Sequence, residues 1–187
     1  DVERSRGLGD VYKRQPSYLK INSENDVDLQ NILNDFINCF CNGYVEVRTK
    51  YKKLPTFKIN FHKNNLPHLL GLHYTHKKTS AKKIIGRIAE GKITHKSIKQ
   101  HYEYDNIKDR LINYNFLHKC FIDKEINLCV IVPKNSINPQ KIDVAFLDDK
   151  NSEVMILGLK KGYSSDFYVP ATMYILGKNS PYRKMRS

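Results

Sequence analysis

Three features of the 187-residue sequence predict a single α+β domain with an antiparallel sheet. From Asp26 to about Ile122 the apolar residues recur mostly three and four apart, the spacing of one face of a helix. From Asn127 onward they alternate or run continuously in short blocks separated by turn residues, as strands do. Helices followed by a strand meander define the α+β class. No internal repeat and no break in composition appears after residue 16, so residues 16–187 are read as one domain with a core of its own.

The elements follow in order. Residues 1–15 include Ser5-Arg6-Gly7-Leu8-Gly9-Asp10-Val11-Tyr12-Lys13-Arg14-Gln15, which reads as a translated sequencing-adapter scar and is set aside. Asp26 to Phe40 is expected to be a helix: Val27, Leu29, Ile32, Leu33, Phe36, Ile37 and Phe40 share a face, Asn25 or Asp26 can cap it, and Gly43 can end it. Tyr44 to Thr49 and Thr56 to Phe61 alternate as two strands of a hairpin around a basic turn. Asn64-Asn65-Leu66-Pro67 stops the second strand, because proline has no N–H for the ladder. Thr79 or Ser80 caps a helix carrying Ile84, Ile85, Ile88 and Ala89 and closed by Gly91, and Thr94 opens a short helix to about His101. A longer helix is predicted from Asp105 to about Ile122, with Ile107, Leu111, Tyr114, Leu117 and Phe121 inward. The strands then fall at residues 128–132, 142–147, 154–159, 167–169 and 172–176.

Composition narrows the function. The net charge is +13 from 32 Lys+Arg and 19 Asp+Glu, and about +12 of it lies outside the set-aside start, spread along the chain. A folded domain this basic meets a polyanion, or else merely carries a solvated lysine surface. No apolar run suits a membrane span, and the best amphipathic helix is not lysine-rich on its polar face, so no membrane partner is expected. Cys39, Cys41, Cys120 and Cys129 form no CxxC pair and sit among apolar residues, which reads as reduced thiols in the cytoplasm. Walker A, GxGxxG, HExxH and paired-carboxylate patterns are absent, and no cofactor is expected.

Four histidines (His62, His68, His73 and His76) fall within Thr56 to Ser80. His68, between Pro67 and the apolar Leu69-Leu70, is either a general base or acid, since imidazole titrates near neutrality, or a backbone-bonded turn histidine. Lys77, Lys78, Lys82 and Lys83 around the next helix start either anchor phosphates or form a solvated face. No Asp, Glu or Cys lies between Thr56 and Ser80 to complete a metal site, and the lysines repel a cation, so no metal is expected there. Lys160 to Thr172 interleaves cations, tyrosines and hydroxyls, suited to bases and phosphates or simply to a tyrosine-rich edge strand. Arg87 and Arg110 lie on helices, available to a phosphate or to a carboxylate partner.

The Phe-Lys-Ile-Asn-Phe strand, Asn-Asn-Leu-Pro-His68-Leu-Leu-Gly-Leu, the helices and the strands closing on Tyr168-Val-Pro-Ala-Thr172 together resemble one nuclease group. This is the fourth family of the phage and mobile-element branch of the barnase–EndoU–colicin–RelE-like superfamily, and the likeness covers roughly Asp26 to Leu176. The resemblance implies N-terminal helices with a curved, barnase-like antiparallel sheet. It implies a metal-independent, toxin-like endoribonuclease in which the 2′-OH attacks the adjacent phosphate, leaving a 2′,3′-cyclic phosphate. His68 would be base or acid, Tyr168 and Thr172 would position or stabilise the phosphate, and Arg110 would supply positive charge. Lys78, Lys82, Arg87 and Lys160 would bind substrate phosphates. RNA is the expected partner, with an antitoxin or immunity protein, or a larger polyvalent protein, beside it. A non-catalytic RNA-binding module of a mobile element is the alternative.

Overall fold

Among the described residues seven strands form one mixed sheet, in the order β1 (Val2–Arg6), β2 (Tyr44–Thr49), β3 (Thr56–Asn60), β7 (Phe167–Gly177), β6 (Glu153–Lys161), β5 (Val144–Lys150) and β4 (Leu128–Ile131), and helices cover one of its faces. The computed structural model describes residues 2–6, 17–133, 138, 140–150, 153–162 and 166–177. The class is the α+β predicted, with one departure from an antiparallel sheet. β3 (Thr56–Asn60) pairs parallel with β7 (Phe167–Gly177), at Lys58 with Phe167 and Ile59 with Tyr168; every other pairing is antiparallel. Two local meanders, one from each end of the chain, are thereby joined side by side. Within the stretch set aside as a scar, the backbone of β1 (Val2–Arg6) lies along the outer edge of β2 (Tyr44–Thr49).

Alternation explains the first meander. Val45 and Val47 on β2 and Phe57 and Ile59 on β3 enter the core, while Tyr44 and Lys58 meet on the other face, the Lys58 ammonium 4.8 Å from the Tyr44 ring centre. The apolar stretches of β5 (Val144–Lys150) and β6 (Glu153–Lys161) are buried on both faces, which accounts for their continuous runs, whereas β4 (Leu128–Ile131), at the end of the sheet, buries Val130 and leaves Ile131 exposed. Met155, Leu157 and Leu159 pack toward the helices, whereas Val154 and Ile156 join Ala145, Leu147 and Ile142 in a second, smaller cluster.

The two last predicted strands are one strand. β7 runs unbroken through Pro170, which lies opposite Leu159 at a register shift between Gly158 and Leu159. On its other side the pairing with β3 ends at Tyr168, so the missing proline N–H breaks no ladder bond there.

The helices carry two further corrections. The helix predicted from Asp26 starts later: α1 (Leu29–Phe40) is capped by Asp28, whose carboxylate accepts from Asn31 N at 2.9 Å, and a separate 3-10 turn occupies Glu24–Asp26. The long helix predicted over residues 105–122 is two, α6 (Tyr104–Ile112) and α7 (Phe116–Phe121). Asn115 breaks it, since its amide spans Ile21 N (2.6 Å), Leu19 O (2.6 Å) and His118 Nδ1 (3.1 Å), side-chain bonds that compete with helical propagation. α4 (Ala81–Ala89) is capped by Ser80 and buries Ile84, Ile85 and Ile88, and α5 (His95–Lys99) is capped by Thr94, both as expected. Among the described residues no helix is long and apolar enough to cross a membrane.

A buried polar knot ties the N-terminal segment to this layer. His118, fully buried, makes a 2.8 Å bond from Nε2 to Asp35 Oδ2, which also accepts from Tyr114 Oη at 2.7 Å, and Asp35 Oδ1 accepts from Leu19 N. The Asn115 bonds fix its amide with Nδ2 toward His118, so Nδ1 accepts and Nε2 carries the proton. Asp35, Cys39 and His118 bring potential metal-ligand atoms within 4.8 Å of one another. Protein hydrogen bonds already engage both oxygens of Asp35 and both ring nitrogens of His118, so this is a structural knot.

Candidate active site

The segment after β3 shows why its sequence has the form it does. Asn60 ends the strand, and a 3-10 turn at Lys63–Asn65 is held reciprocally: Asn64 N donates to His62 Nδ1, and His62 N donates to Asn65 Oδ1. α2 (Leu66–Leu69) follows with Pro67 in its first turn, where a missing N–H costs nothing. Leu66, Leu69, Leu70 and Leu72 are fully buried, and this anchoring turns His68 outward to solvent. Gly71 then separates α2 from α3 (Leu72–Thr75) with φ +73°, a left-handed conformation that glycine adopts without strain. A Cβ at Gly71 would lie 2.8 Å from Ile107 Cγ2 and 3.1 Å from Arg110 Cδ, so the glycine also lets α6 approach. Each position of His-Leu-Leu-Gly-Leu therefore has a physical task.

Through that gap Arg110 reaches the site. Its guanidinium lies 3.5 Å from the His68 carbonyl oxygen, 5.5 Å from the Tyr74 ring centre and 6.0 Å from that of Tyr174. Only 9% of Arg110 is exposed, and among the described residues no carboxylate pairs with it. Burial pushes its pKa down, opposed by the Tyr74 and Tyr174 hydroxyls, yet a guanidinium stays charged in water-accessible proteins. A buried cation held by two aromatic rings and a carbonyl, with no carboxylate counter-ion among the described residues, can receive an anion.

His73 completes the constellation. Its ring is 5.3 Å from that of His68 and 4.1 Å from that of Tyr74, and its buried Nδ1 has no hydrogen-bond partner. Burial first, then the neighbouring His68 and Arg110, hold its pKa below the ordinary imidazole value, with the Pro67 backbone opposing. A neutral imidazole beside an exposed one and a buried guanidinium can carry protons on and off a phosphodiester.

Of the residues singled out from the sequence, the structure brings together His68 and Arg110. Tyr168 and Thr172 lie on β7, both buried, and the described hydrogen bonds connect neither to His68 nor to Arg110. The Tyr168 ring packs edge-on against Phe57 at 5.0 Å, and burial, then Asp143, raises its hydroxyl pKa. Thr172 faces Gly158 across the β6–β7 ladder. Lys78 and Lys82 are exposed, in the turn after α3 and on α4; Arg87 is exposed on α4; Lys160, half-buried, lies opposite Val169 near the end of β6. His73 was named only as one of the four clustered histidines, with no catalytic role, and Tyr74 and Tyr174 were not singled out. His73 carried a signal, its place in the histidine-rich stretch; Tyr174 carried none, because it reaches Arg110 only through the path of β7.

The sequence model of the family phage-Barnase-EndoU-ColicinE5/D-RelE like nuclease4 matches residues 28–186. The chain belongs to this nuclease family. No curated protein and no solved structure matches it.

Proposed function

We propose that the protein is a metal-independent endoribonuclease of mobile-element, toxin-like type, acting in the cytoplasm. The observation that carries this is the buried Arg110, with no carboxylate partner among the described residues, beside His68 and His73. The ribose 2′-oxygen attacks the adjacent phosphorus as the bond from phosphorus to the 5′-oxygen breaks, giving a 2′,3′-cyclic phosphate and a 5′-OH. One imidazole takes the 2′-hydroxyl proton and the other protonates the leaving oxygen. His73, held neutral, suits the base and His68, facing solvent, the acid. Arg110 stabilises the charge that builds on the non-bridging oxygens, the task a metal ion would otherwise perform. Tyr168 and Thr172 act through β7, holding the strand that presents Tyr174 to Arg110. Lys78, Lys82, Arg87 and Lys160 add cationic surface for the rest of the RNA. A neutralising partner protein, or a larger polyvalent protein, belongs to this reading as its context.

The net charge of +13 also suits the second reading, an RNA-binding module without catalysis. Cleavage of total RNA in excess EDTA separates the two. The protein should cleave, leave cyclic phosphates, and lose about 10²–10⁴-fold in rate on His68→Ala. Tight RNA binding without cleavage would establish the binding module, and cleavage abolished by EDTA would overturn metal independence.

A further inference from the structure

Between the end of α3 and α4 lies a basic hollow, of whose residues only Arg87 has been given a part above. It is a cleft of about 530 Å³ lined by His76, Lys83, Gly86, Arg87, Glu90 and Lys92. Lys83, Arg87 and Lys92 are exposed cations; the one acid, Glu90, is held by Lys92 at 2.7 Å. The carbonyls that end α4 are occupied, Gly86 O by Glu90 N and Arg87 O by Lys92 N and Ile93 N, so the hollow presents cations and not free lone pairs. The His76 ring is fixed: Thr75 Oγ1 donates to Leu72 O and thus must accept from His76 Nδ1, 2.9 Å away.

The glycine is the second observation. Gly86 lies inside α4, where glycine weakens a helix, and its φ is not left-handed. A Cβ there would meet nothing within 4 Å, so no neighbour of the folded chain demands a glycine. A backbone left bare at the floor of a cationic hollow suits close approach by a ligand. His76, the residue that ends α3, follows His73 of the proposed reaction centre by three positions.

We propose that this cleft is a second phosphate subsite, holding a backbone phosphate of single-stranded RNA next to the one presented to His68. The assignment rests on the ribonuclease reading above, and it makes His76, Lys83 and Lys92 substrate-binding residues.

The test uses the full chain, Gly86→Glu, and the double variant Lys83→Ala/Lys92→Ala. Each is given a dinucleoside monophosphate, which has one phosphate, and a ten-nucleotide RNA containing the same cleavable step. Binding of a ten-nucleotide analogue with a 2′-deoxy sugar at that step is read by fluorescence anisotropy. Both variants should raise the analogue's Kd about tenfold or more. They should also lose at least about tenfold more kcat/KM on the ten-nucleotide RNA than on the dinucleoside. Kd within about twofold of the parent in both variants overturns the subsite and leaves the cleft to an acidic protein partner. Equal losses on the two substrates overturn it as well, since the cleft would not then be separate from the reaction centre. A parent that cleaves neither substrate removes the ribonuclease reading alone, because the anisotropy arm still decides whether the cleft holds RNA phosphate.

Discussion

Gly71 joins the architecture to the proposed chemistry at a single atom. Gly71→Ala forces a side chain into the left-handed region and drives Cβ against Ile107 and the Arg110 stem. Strain and displaced packing together cost about 2–4 kcal/mol, which for a domain of this size lowers Tm by roughly 5–15 °C. RNA cleavage should fall further than the unfolded fraction explains, because Arg110 moves with the clash; thermal unfolding beside an initial-rate assay checks both. Asp35 gives the second residue-scale prediction. Burial alone would raise its pKa, but bonds from His118, Tyr114 and Leu19 N outweigh it and hold the carboxyl below its ordinary 3.8. The folded carboxyl is therefore the stronger acid, so its stabilisation is complete above pH 3.8 and fades as pH falls through the lower, folded value. Asp35→Asn should lower Tm by roughly 5–10 °C at pH 7, with the gap to the parent closing in acid below 3.8. Melting curves from pH 7 to pH 2.5 measure it.

At the scale of elements, Gly86 separates stability from the proposed binding role. Gly86→Ala relieves a mid-helix glycine in open space and should stabilise by about 0.5–1 kcal/mol, raising Tm by roughly 1–4 °C in a calorimetric scan. Elements were also the level at which the sequence was most legible. α4, α5 and the β2–β3 hairpin follow from caps and periodicity, because local chemistry alone decides them. The break between α6 and α7 was hidden, since apolar spacing runs straight through it while Asn115 is claimed by Leu19 and Ile21, over ninety residues earlier. Pro170 suggested two strands, and only the register shift opposite it permits one. The site divides in the same way. His68 was readable from the proline and leucines that fix it, and Arg110 only as a cation on a helix. Its aromatic holders come from α3 and β7, whose meeting is a property of the closed fold.

For the whole molecule, charge makes the prediction. If RNA is engaged at Arg110, at the α4 cleft and at one or two of the exposed lysines, three or four phosphates are neutralised. The logarithm of the binding constant for single-stranded RNA should then fall against the logarithm of salt concentration with a slope of roughly −2 to −3. Anisotropy titrations from 50 to 300 mM salt check it, and a slope near zero would reduce the basic surface to a solubilising one.

The parallel pairing of β3 with β7 also has a consequence in time. It joins Lys58 and Ile59 to Phe167 and Tyr168, residues made more than a hundred positions apart during synthesis. The chain leaves the ribosome from its N-terminus, so the hairpin, the histidine segment and Arg110 all emerge before the strand that carries Tyr174. Until β7 docks between β3 and β6, the proposed receptor for the phosphate lacks one of its walls. A half-made chain, still tethered among ribosomal RNA, thus holds every acid–base group of the proposed reaction and no finished site in which to use them.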